Sequence, residues 1–335
     1  MARDNDQAVM ERDSLRSDRL FPVNMAVADY DRTRPLIDGR VKAEGVALKI
    51  DARYVGDFCV EPVYEQYDAA EMSFSWYVTA RSQGEPVVAL PVFPLRMPVL
   101  AYIFVREDSP LHEIKELTGR RIGVPSYRFT VNLWLRGIFQ DHYGLATDQV
   151  TWVTCKSDEG AGYTIPDGIK IEVADGTNAE QLLYQGKVDA ILVPRVPQSY
   201  VEGRSKMRRL FRDTQSEMQG YFRKTGILPI THTVVIRESL SKQEPWICES
   251  LVRAFMDAQR LCDPACESDP KLVSSADAIF HQEQNRAVYG LNSWAHGVAP
   301  NRKNIETFVR YAHEQGYTSR RLSVEELFPA NTLSI

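Results

Sequence analysis

Short apolar runs alternate with longer amphipathic stretches along the chain, a pattern typical of strands that alternate with helices. The first apolar runs are FPVNMAVA (21–28), VALKIDARYV (46–55), AAEMSFS (69–75) and VVALPVFP (87–94). Amphipathic stretches such as WYVTARSQG lie between them. This order predicts a mostly parallel sheet covered by helices.

A second series of apolar runs begins after YIFVRED (102–108) and includes RIGVP (121–125), VTWVTC (150–155), IKIEVAD (169–175) and DAILVP (189–194). A helix is predicted over TVNLWLRGIFQDHYG (130–144). The strand-like run HTVVIR (232–237) and helical stretches at 244–261, 301–316 and 323–328 follow. We therefore predict a flexible arm over 1–20, a first lobe built from 21–103 and 223–335, and a second lobe inserted over 104–222.

Arginine and hydroxyl side chains follow many of the predicted strands. Two α/β lobes joined by two crossings enclose a cleft, and ligands of open α/β sheets bind beyond the carboxyl ends of the strands. Arginine and free helix N-termini bind carboxylates, although a single arginine is more often part of a solvated ion pair. The number of such strand ends predicts a small ligand with one or more carboxylates, bound by residues among Arg32, Arg34, Ser73, Ser75, Arg96, Ser126, Arg128, Thr130 and Arg195.

His232 is the first residue of the predicted strand HTVVIR, with which the chain re-enters the first lobe. A histidine at a cleft titrates near neutral pH and can act as an acid or a base. The alternative is a ring that is hydrogen-bonded to backbone where the lobes meet, and the pattern leaves both open. The sequence has no GxSxG, phosphate-loop or HExxH motif, and no pair of acidic residues stands out.

The amino-acid composition indicates which binding partners and which cellular compartment to expect. The 335 residues are 44% hydrophobic and 25% charged, with a net charge of −5 and no basic run, so no nucleic-acid partner is expected. Five scattered cysteines predict reduced thiols. The charged N-terminus lacks the apolar core of a secretory signal, and no apolar run approaches a membrane span, so we expect a cytoplasmic protein without a membrane partner. The long C-terminal helices offer apolar surface for a homo-oligomer.

The segments AEMSFSWYVTA, LTGRRIGVPSYRFTVNLWLRGIFQDHYG, GKVDAILVPRVP and YFRKTGILPITHTVVIR carry a family resemblance. In this order they resemble the 4,5-dihydroxyphthalate decarboxylase family, and the similarity extends from about residue 22 to the end. The resemblance implies a two-lobed α/β fold of the type 2 periplasmic-binding-protein kind. It also implies a carboxy-lyase of phthalate catabolism that removes CO2 from 4,5-dihydroxyphthalate to give protocatechuate. No organic cofactor is expected, and a divalent metal stays open because a catechol can chelate one, although no ligand cluster supports it.

The resemblance also implies roles for residues. It makes His232 the proton-transfer residue, the arginines the carboxylate clamps, and the hydroxyls substrate contacts. Two departures change the expected pocket. Val99 and Leu100 stand where the family has an Arg-His pair, and Trp294-Ala295-His296-Gly297 stands where it has Pro-Tyr-Gly, so His296 is a candidate replacement for the lost histidine. The alternative function is a non-catalytic or differently specific solute-binding protein for an aromatic carboxylate.

Overall fold

Two β-sheets with flanking helices make up the part of the chain that the structure describes. The computed structural model describes residues 20–60, 62–158, 162–268, 277–290, 292 and 294–335. The predicted arm over 1–20 lies outside these residues, apart from Leu20. The α/β class predicted from the alternating pattern is confirmed.

The strands fall close to the predicted apolar runs. In chain order they are β1 (Phe21–Val27), β2 (Val46–Ala52), β3 (Ala69–Ser73), β4 (Val87–Leu90), β5 (Ile103–Arg106), β6 (Arg121–Val124), β7 (Thr151–Thr154), β8 (Lys170–Val173), β9 (Ala190–Leu192), β10 (Met207–Arg209) and β11 (His232–Arg237).

The helices lie between and after these strands. They are α1 (Arg34–Ile37), α2 (Phe74–Ser82), α3 (Thr130–Tyr143), α4 (Ala179–Tyr184), α5 (Gln198–Val201), α6 (Thr214–Thr225), α7 (Glu238–Gln243), α8 (Pro245–Ser268), α9 (Ala278–Tyr289) and α10 (Arg302–Glu314). Helix α3 ends where predicted, because Gly144 takes the left-handed conformation (φ 64°) that closes a helix. The helix predicted over 323–328 is wrong: the segment is a turn, and Pro329 prevents the chain from continuing as a helix.

The first sheet has the strand order β2-β1-β3-β11-β4. Strand β1 runs parallel to β2 and β3, whereas β11 is antiparallel to both β3 and β4. The carboxyl ends of β1, β3 and β4 and the amino end of β11 therefore share one edge. Residues that follow the first three strands are brought to the residue that opens the last.

The second sheet has the order β10-β5-β9-β6-β7-β8 and is built from strands between Ile103 and Arg209. Strand β6 is parallel to β7 and β9, so their carboxyl ends also share one edge. The chain leaves the first sheet after Leu90 and returns to it at His232. The lobe boundaries at 103/104 and 222/223 stay a prediction.

An aromatic core connects the helices that flank both sheets. Phe74 on α2 stacks on Phe308 of α10 at a centroid distance of 4.5 Å, and Trp134 on α3 lies 5.3 Å from the same ring. All three side chains are buried. This packing holds the amino ends of α2 and α3 against each other, which is where the candidate site lies. Along the described residues, no helix is both long and apolar enough to cross a bilayer.

Candidate active site

The two sheet edges meet at a group of buried hydroxyls. Ser73 at the end of β3 has its Oγ 2.7 Å from Oγ1 of Thr130, the first residue of α3. Ser75 Oγ lies 2.8 Å from the same Thr130 oxygen and donates to the carbonyl of Arg128. Across the sheet, Ser73 pairs with His232. Residues predicted from both lobes are thus brought together.

His232 binds a buried carboxylate that the sequence analysis did not single out. Its Nδ1 lies 2.7 Å from Oε1 of Glu71, which occupies the middle of β3 and is wholly buried. The Tyr30 hydroxyl donates to the same oxygen at 2.9 Å, and the Ala28 amide donates to Oε2 at 3.2 Å. A buried carboxylate needs such donors and a compensating charge. The imidazole supplies that charge when it is protonated.

The surroundings of His232 favour its protonated form. Burial alone lowers the pKa of the imidazole, but the neighbouring Cys59 thiol and the Glu71 carboxylate outweigh it and raise the pKa to about 9. Burial and the charge of Glu71 raise the pKa of Tyr30 far above neutral, so this phenol stays protonated and acts as a donor. The arrangement therefore holds a proton on His232 at neutral pH, as a general acid requires.

Arg32 lies beside this pair. Its guanidinium sits between the rings of Tyr30 and Trp294, with centroid distances of 4.3 and 4.5 Å. Nε donates to the Pro94 carbonyl at 2.5 Å, and Nη1 pairs with the exposed Asp31 at 2.9 Å. Stacking and hydrogen bonding fix the plane of the guanidinium, and its side chain keeps 15% exposure. Arg32 is therefore an oriented cation close to His232 through Tyr30.

Arg96 is buried and fastens two loops together. It donates to the carbonyls of Leu228 at 3.2 Å and Ala295 at 2.8 Å, and to Oδ1 of Asn301 at 2.5 Å. Burial, and then the charge of Arg32, lower its pKa to about 9. Neutral protein acceptors occupy both terminal nitrogens, so the observed role of Arg96 is to hold the two loops together. Its contact with substrate stays a prediction.

His296 is also buried in this loop contact. Its Nδ1 accepts a hydrogen bond from the Phe93 amide at 3.1 Å. Burial, and then the charges of Arg96 and Arg32, lower the pKa of His296 to about 3. The ring is therefore neutral at physiological pH and closes the loop after β4, whereas the predicted contact with substrate stays untested.

We expect His296 to make the protein acid-sensitive. Its pKa is lowered in the folded protein, so its neutral form stabilises the fold above the usual value of 6.5, and this stabilisation is lost as pH falls towards 3. In the variant His296→Gln, whose amide oxygen can accept from Phe93 without titrating, urea unfolding between pH 6.5 and pH 3 should depend less steeply on pH than in the wild type. Parallel curves for the two proteins would contradict this role.

Two of the predicted arginines lie away from the cluster. Arg34 starts α1 and pairs with Asp29 at 2.9 Å, with 57% of its side chain exposed. Arg195 is exposed and donates to the hydroxyl of Tyr54 at 3.3 Å. The structure thus brings Arg32 into the cluster but places Arg34 and Arg195 at the surface. Both surface pairs are solvated, as expected of single exposed arginines.

Ser126 supports the loop before α3. Its Oγ donates to Oδ1 of Asp158 at 2.7 Å and accepts from the Arg128 amide at 3.2 Å. The Tyr127 amide donates to the second Asp158 oxygen at 2.7 Å. Ser126 therefore orients Arg128 through the backbone.

The family departure at Val99 and Leu100 falls in the core. Both side chains are wholly buried, in the short turn Val99–Tyr102 that packs against α3 and α6. An Arg-His pair at these positions would bury two polar side chains in an apolar cluster. Across the described ranges, no group of three or more His, Cys, Asp or Glu side chains is placed to hold a metal ion.

An open cavity of about 950 Å³ lies elsewhere, lined by Arg106, Tyr184 and Lys206 among others. Arg106 pairs there with Asp108 and Arg204 with Glu202, so both arginines of this cavity are already matched by carboxylates. The buried cluster around His232 contains a protonated imidazole paired with a buried carboxylate, which this open cavity lacks among its lining residues. We therefore take the buried cluster as the candidate active site.

Comparison with known proteins identifies relatives of the whole chain. A curated protein from Comamonas testosteroni named 4,5-dihydroxyphthalate decarboxylase is 30% identical over 319 residues, covering 91% of this chain and 96% of that protein. A Pseudomonas putida protein of the same name is 32% identical over 209 residues, covering 60% of this chain and 81% of that protein. No protein-family model matches the chain.

Solved structures confirm the fold. The sulfonate-binding protein SsuA of Methylobacillus flagellatus superposes with a TM-score of 0.59 at 16% identity, covering 94% of this chain and 93% of that one. SsuA of Escherichia coli gives 0.52 at 13% identity, covering 95% of this chain and all of that one. The two-lobed periplasmic-binding-protein-like architecture is thus confirmed. With relatives of this identity and coverage, the chain belongs to the 4,5-dihydroxyphthalate decarboxylase family.

Proposed function

We propose that the protein is a cytoplasmic decarboxylase of a hydroxylated aromatic carboxylate, which converts 4,5-dihydroxyphthalate to protocatechuate and CO2. The observation that carries the proposal is the buried His232–Glu71 pair, because it keeps an acidic proton at the meeting edge of the two sheets in a member of this family.

The reaction needs one proton and an electron-rich ring. A hydroxyl para to the departing carboxylate pushes electron density, as it loses its proton, onto the ring carbon that bears that carboxylate. His232 donates its proton to this carbon, the bond between the carbon and the carboxylate breaks, and its electron pair restores aromaticity as CO2 leaves. The phenol regains a proton afterwards, so one proton is consumed for each CO2 released.

The surrounding residues set up this proton transfer. Glu71 holds Nδ1 of His232, and the Cys59 thiol is a second hydrogen-bond partner of the ring. We assign delivery of the proton to Nε2, the nitrogen that Glu71 does not hold. Tyr30 fixes the position of Glu71 through its hydroxyl. Arg32, oriented by two aromatic rings, orients the departing carboxylate through a charge-assisted contact.

We propose that no organic cofactor takes part. The substrate itself carries the electron-releasing hydroxyl, so the protein has to supply only orientation, electrostatics and a proton. Whether a divalent metal binds the catechol is decided by the assay below. The proposal includes no nucleic-acid or membrane partner.

Purified protein should release CO2 and protocatechuate in equal amounts from 4,5-dihydroxyphthalate, at a rate that EDTA does not change. Phthalate, which lacks both hydroxyls, is the matched control and should bind without releasing CO2. Saturable binding of 4,5-dihydroxyphthalate with no CO2 would contradict the proposal and indicate a solute-binding protein. Loss of turnover in EDTA, restored by a divalent cation, would contradict the metal-free mechanism.

A further inference from the structure

Arg128 is a buried cation on the second sheet's side of the site. It is 5% exposed, and its guanidinium stacks on Trp76 with its central carbon 3.4 Å from the ring centroid. The ring of Tyr163 lies on it at 5.8 Å. Within the part of the chain that the structure describes, its Nε has no hydrogen-bond partner and no carboxylate forms an ion pair with it. Burial lowers the pKa of the guanidinium and outweighs the charge of Asp158, which acts on Arg128 without a direct ion pair. A buried arginine without a direct anionic partner is costly.

Both aromatic neighbours of Arg128 also carry polar atoms that lack partners. The indole Nε1 of Trp76 and the hydroxyl of Tyr163 are buried and make no hydrogen bond to a described residue. Nearly all buried polar groups in native proteins are satisfied by protein or by a bound molecule. The unsatisfied Nε of Arg128 and the two unsatisfied donors on the rings beside it therefore indicate a place for an acceptor that the described residues do not supply.

The amino end of α3 adds to this set of donors. The helix has 14 residues, begins two residues after Arg128, and has no side-chain cap at Phe129. The first amides of a helix point outwards without intrahelical partners, and its dipole places positive charge there. Helix end, guanidinium, indole and phenol together suit a carboxylate.

A second buried arginine on the same helix shows the contrast. Arg136 is 1% exposed, and it donates to Oε1 of Gln315 at 2.7 Å, the carbonyl of Tyr127 at 2.9 Å and the hydroxyl of Tyr317 at 2.8 Å. Its donors are thus matched inside the protein. Arg96 is intermediate, because its Nε lacks a partner but both of its terminal nitrogens donate to protein acceptors.

The Arg128 site lies next to the proton donor. Thr130, two residues after Arg128, touches Ser73, and Ser73 pairs with His232 across the sheet. Arg32 is connected to His232 by a separate route, through the ring of Tyr30 and the Glu71 carboxylate. A ligand with two carboxylates on neighbouring ring carbons can therefore place one near Arg32 and His232 and the other at Arg128.

We propose that Arg128, together with Trp76, Tyr163 and the amino end of α3, binds the carboxylate that the substrate keeps. Arg128 is then the residue on which the preference for an aromatic ortho-dicarboxylate over a monocarboxylate depends. The substrate class rests on the proposed function, whereas the anion site itself rests on the unsatisfied donors.

Calorimetric titration with phthalate and benzoate tests the selectivity, since neither ligand has the hydroxyls that decarboxylation needs. Wild-type protein should bind phthalate at least tenfold more tightly than benzoate. Arg128→Met should weaken phthalate binding by about 10- to 100-fold, as expected for loss of a charge-assisted contact, and benzoate binding by less than threefold. Arg40→Gln is the matched control, because Arg40 is exposed and paired with Asp38, and it should leave both affinities unchanged.

An unchanged phthalate preference in Arg128→Met, or an equal loss for both ligands, would overturn the proposal. If the methionine variant does not fold, Arg128→Lys decides, since it keeps the charge but loses the planar fork. In the lysine variant the preference for phthalate over benzoate should fall at least threefold, and an unchanged preference would contradict the site.

The site and the proposed function can fail separately. Phthalate selectivity that depends on Arg128, without turnover of 4,5-dihydroxyphthalate, would support this site while refuting the proposed function. Turnover of 4,5-dihydroxyphthalate, together with a preference for phthalate over benzoate that Arg128→Met does not change, would support the proposed function and refute this site.

Discussion

Replacement of His232 by asparagine should lower the rate of decarboxylation by about 10²- to 10⁴-fold, the usual contribution of a positioned general acid. The asparagine amide can still donate to Glu71, so the buried carboxylate keeps a partner. What the variant loses is a proton that can be transferred to carbon. Single-turnover measurement of CO2 release gives the rate, and the dissociation constant for 4,5-dihydroxyphthalate should change by less than about threefold.

The pH profile separates proton donation from a structural role of His232. The pKa of about 9 predicts that kcat/KM falls as pH rises through 9, because the free enzyme then loses its acid. In Glu71→Gln the charge that favours the imidazolium is gone, so this limb should move to lower pH. Ionisation of the substrate is the same for both enzymes, and any difference between their limbs belongs to the protein.

The His232–Glu71 pair also makes the free energy of unfolding fall at alkaline pH. The pKa of His232 is raised on folding, so its contribution to the free energy of unfolding is full below its usual value of 6.5 and is lost as pH rises through about 9. An active His232→Asn enzyme, or identical alkaline limbs in wild type and Glu71→Gln, would show that the ring proton comes from another group.

Gly137→Ala should lower the free energy of unfolding by about 3 kcal/mol, because the new methyl group would overpack a rigid core. A Cβ at this position in α3 would overlap the ring of Tyr311. That ring is wholly buried on α10, and its hydroxyl donates to Asp141 of α3 at 2.8 Å. The ring therefore cannot move aside without breaking a contact to the same helix. Urea unfolding measures the change.

Gly220→Ala is the control for helix propensity. Gly220 lies in α6, is exposed, and a Cβ there meets no atom within 4 Å. Alanine is the better helix former, so this variant should be stabilised by about 0.5–1 kcal/mol. A loss of stability at Gly220 as large as that at Gly137 would show that the contact with Tyr311 does not explain the effect.

The rule that ligands lie beyond strand ends accounts for much of the site. Arg32 follows β1, Ser73 closes β3, Thr130 follows β6, and His232 opens an antiparallel strand that starts at the same edge. Alternating apolar runs were enough to locate these ends. Arg34, only two residues after Arg32, shows the limit: a one-turn helix points its side chain to solvent, which an approximate strand end cannot reveal.

Glu71 and Tyr30 escaped prediction because their roles depend on partners far along the chain. Strand β3 reads Ala-Ala-Glu-Met-Ser and is buried throughout, so one acid in an otherwise unexposed strand was the available signal. Its partner His232 lies 161 residues away, and no local pattern joins the two. Likewise, the contact of Arg96 with Asn301 depends on how the C-terminal loop packs.

The position of β11 between β3 and β4 affects how the chain can fold during synthesis. The strands of the second sheet occupy one continuous stretch, so they can pair while the ribosome is still working. Strands β3 and β4 must wait, with open edges that invite wrong pairing, until the segment ending at Arg237 has emerged. Glu71 meets its histidine only then. Until then the nascent chain exposes the unpaired edges of β3 and β4 and lacks the His232–Glu71 pair. We expect chaperones to be most important for this protein during that period.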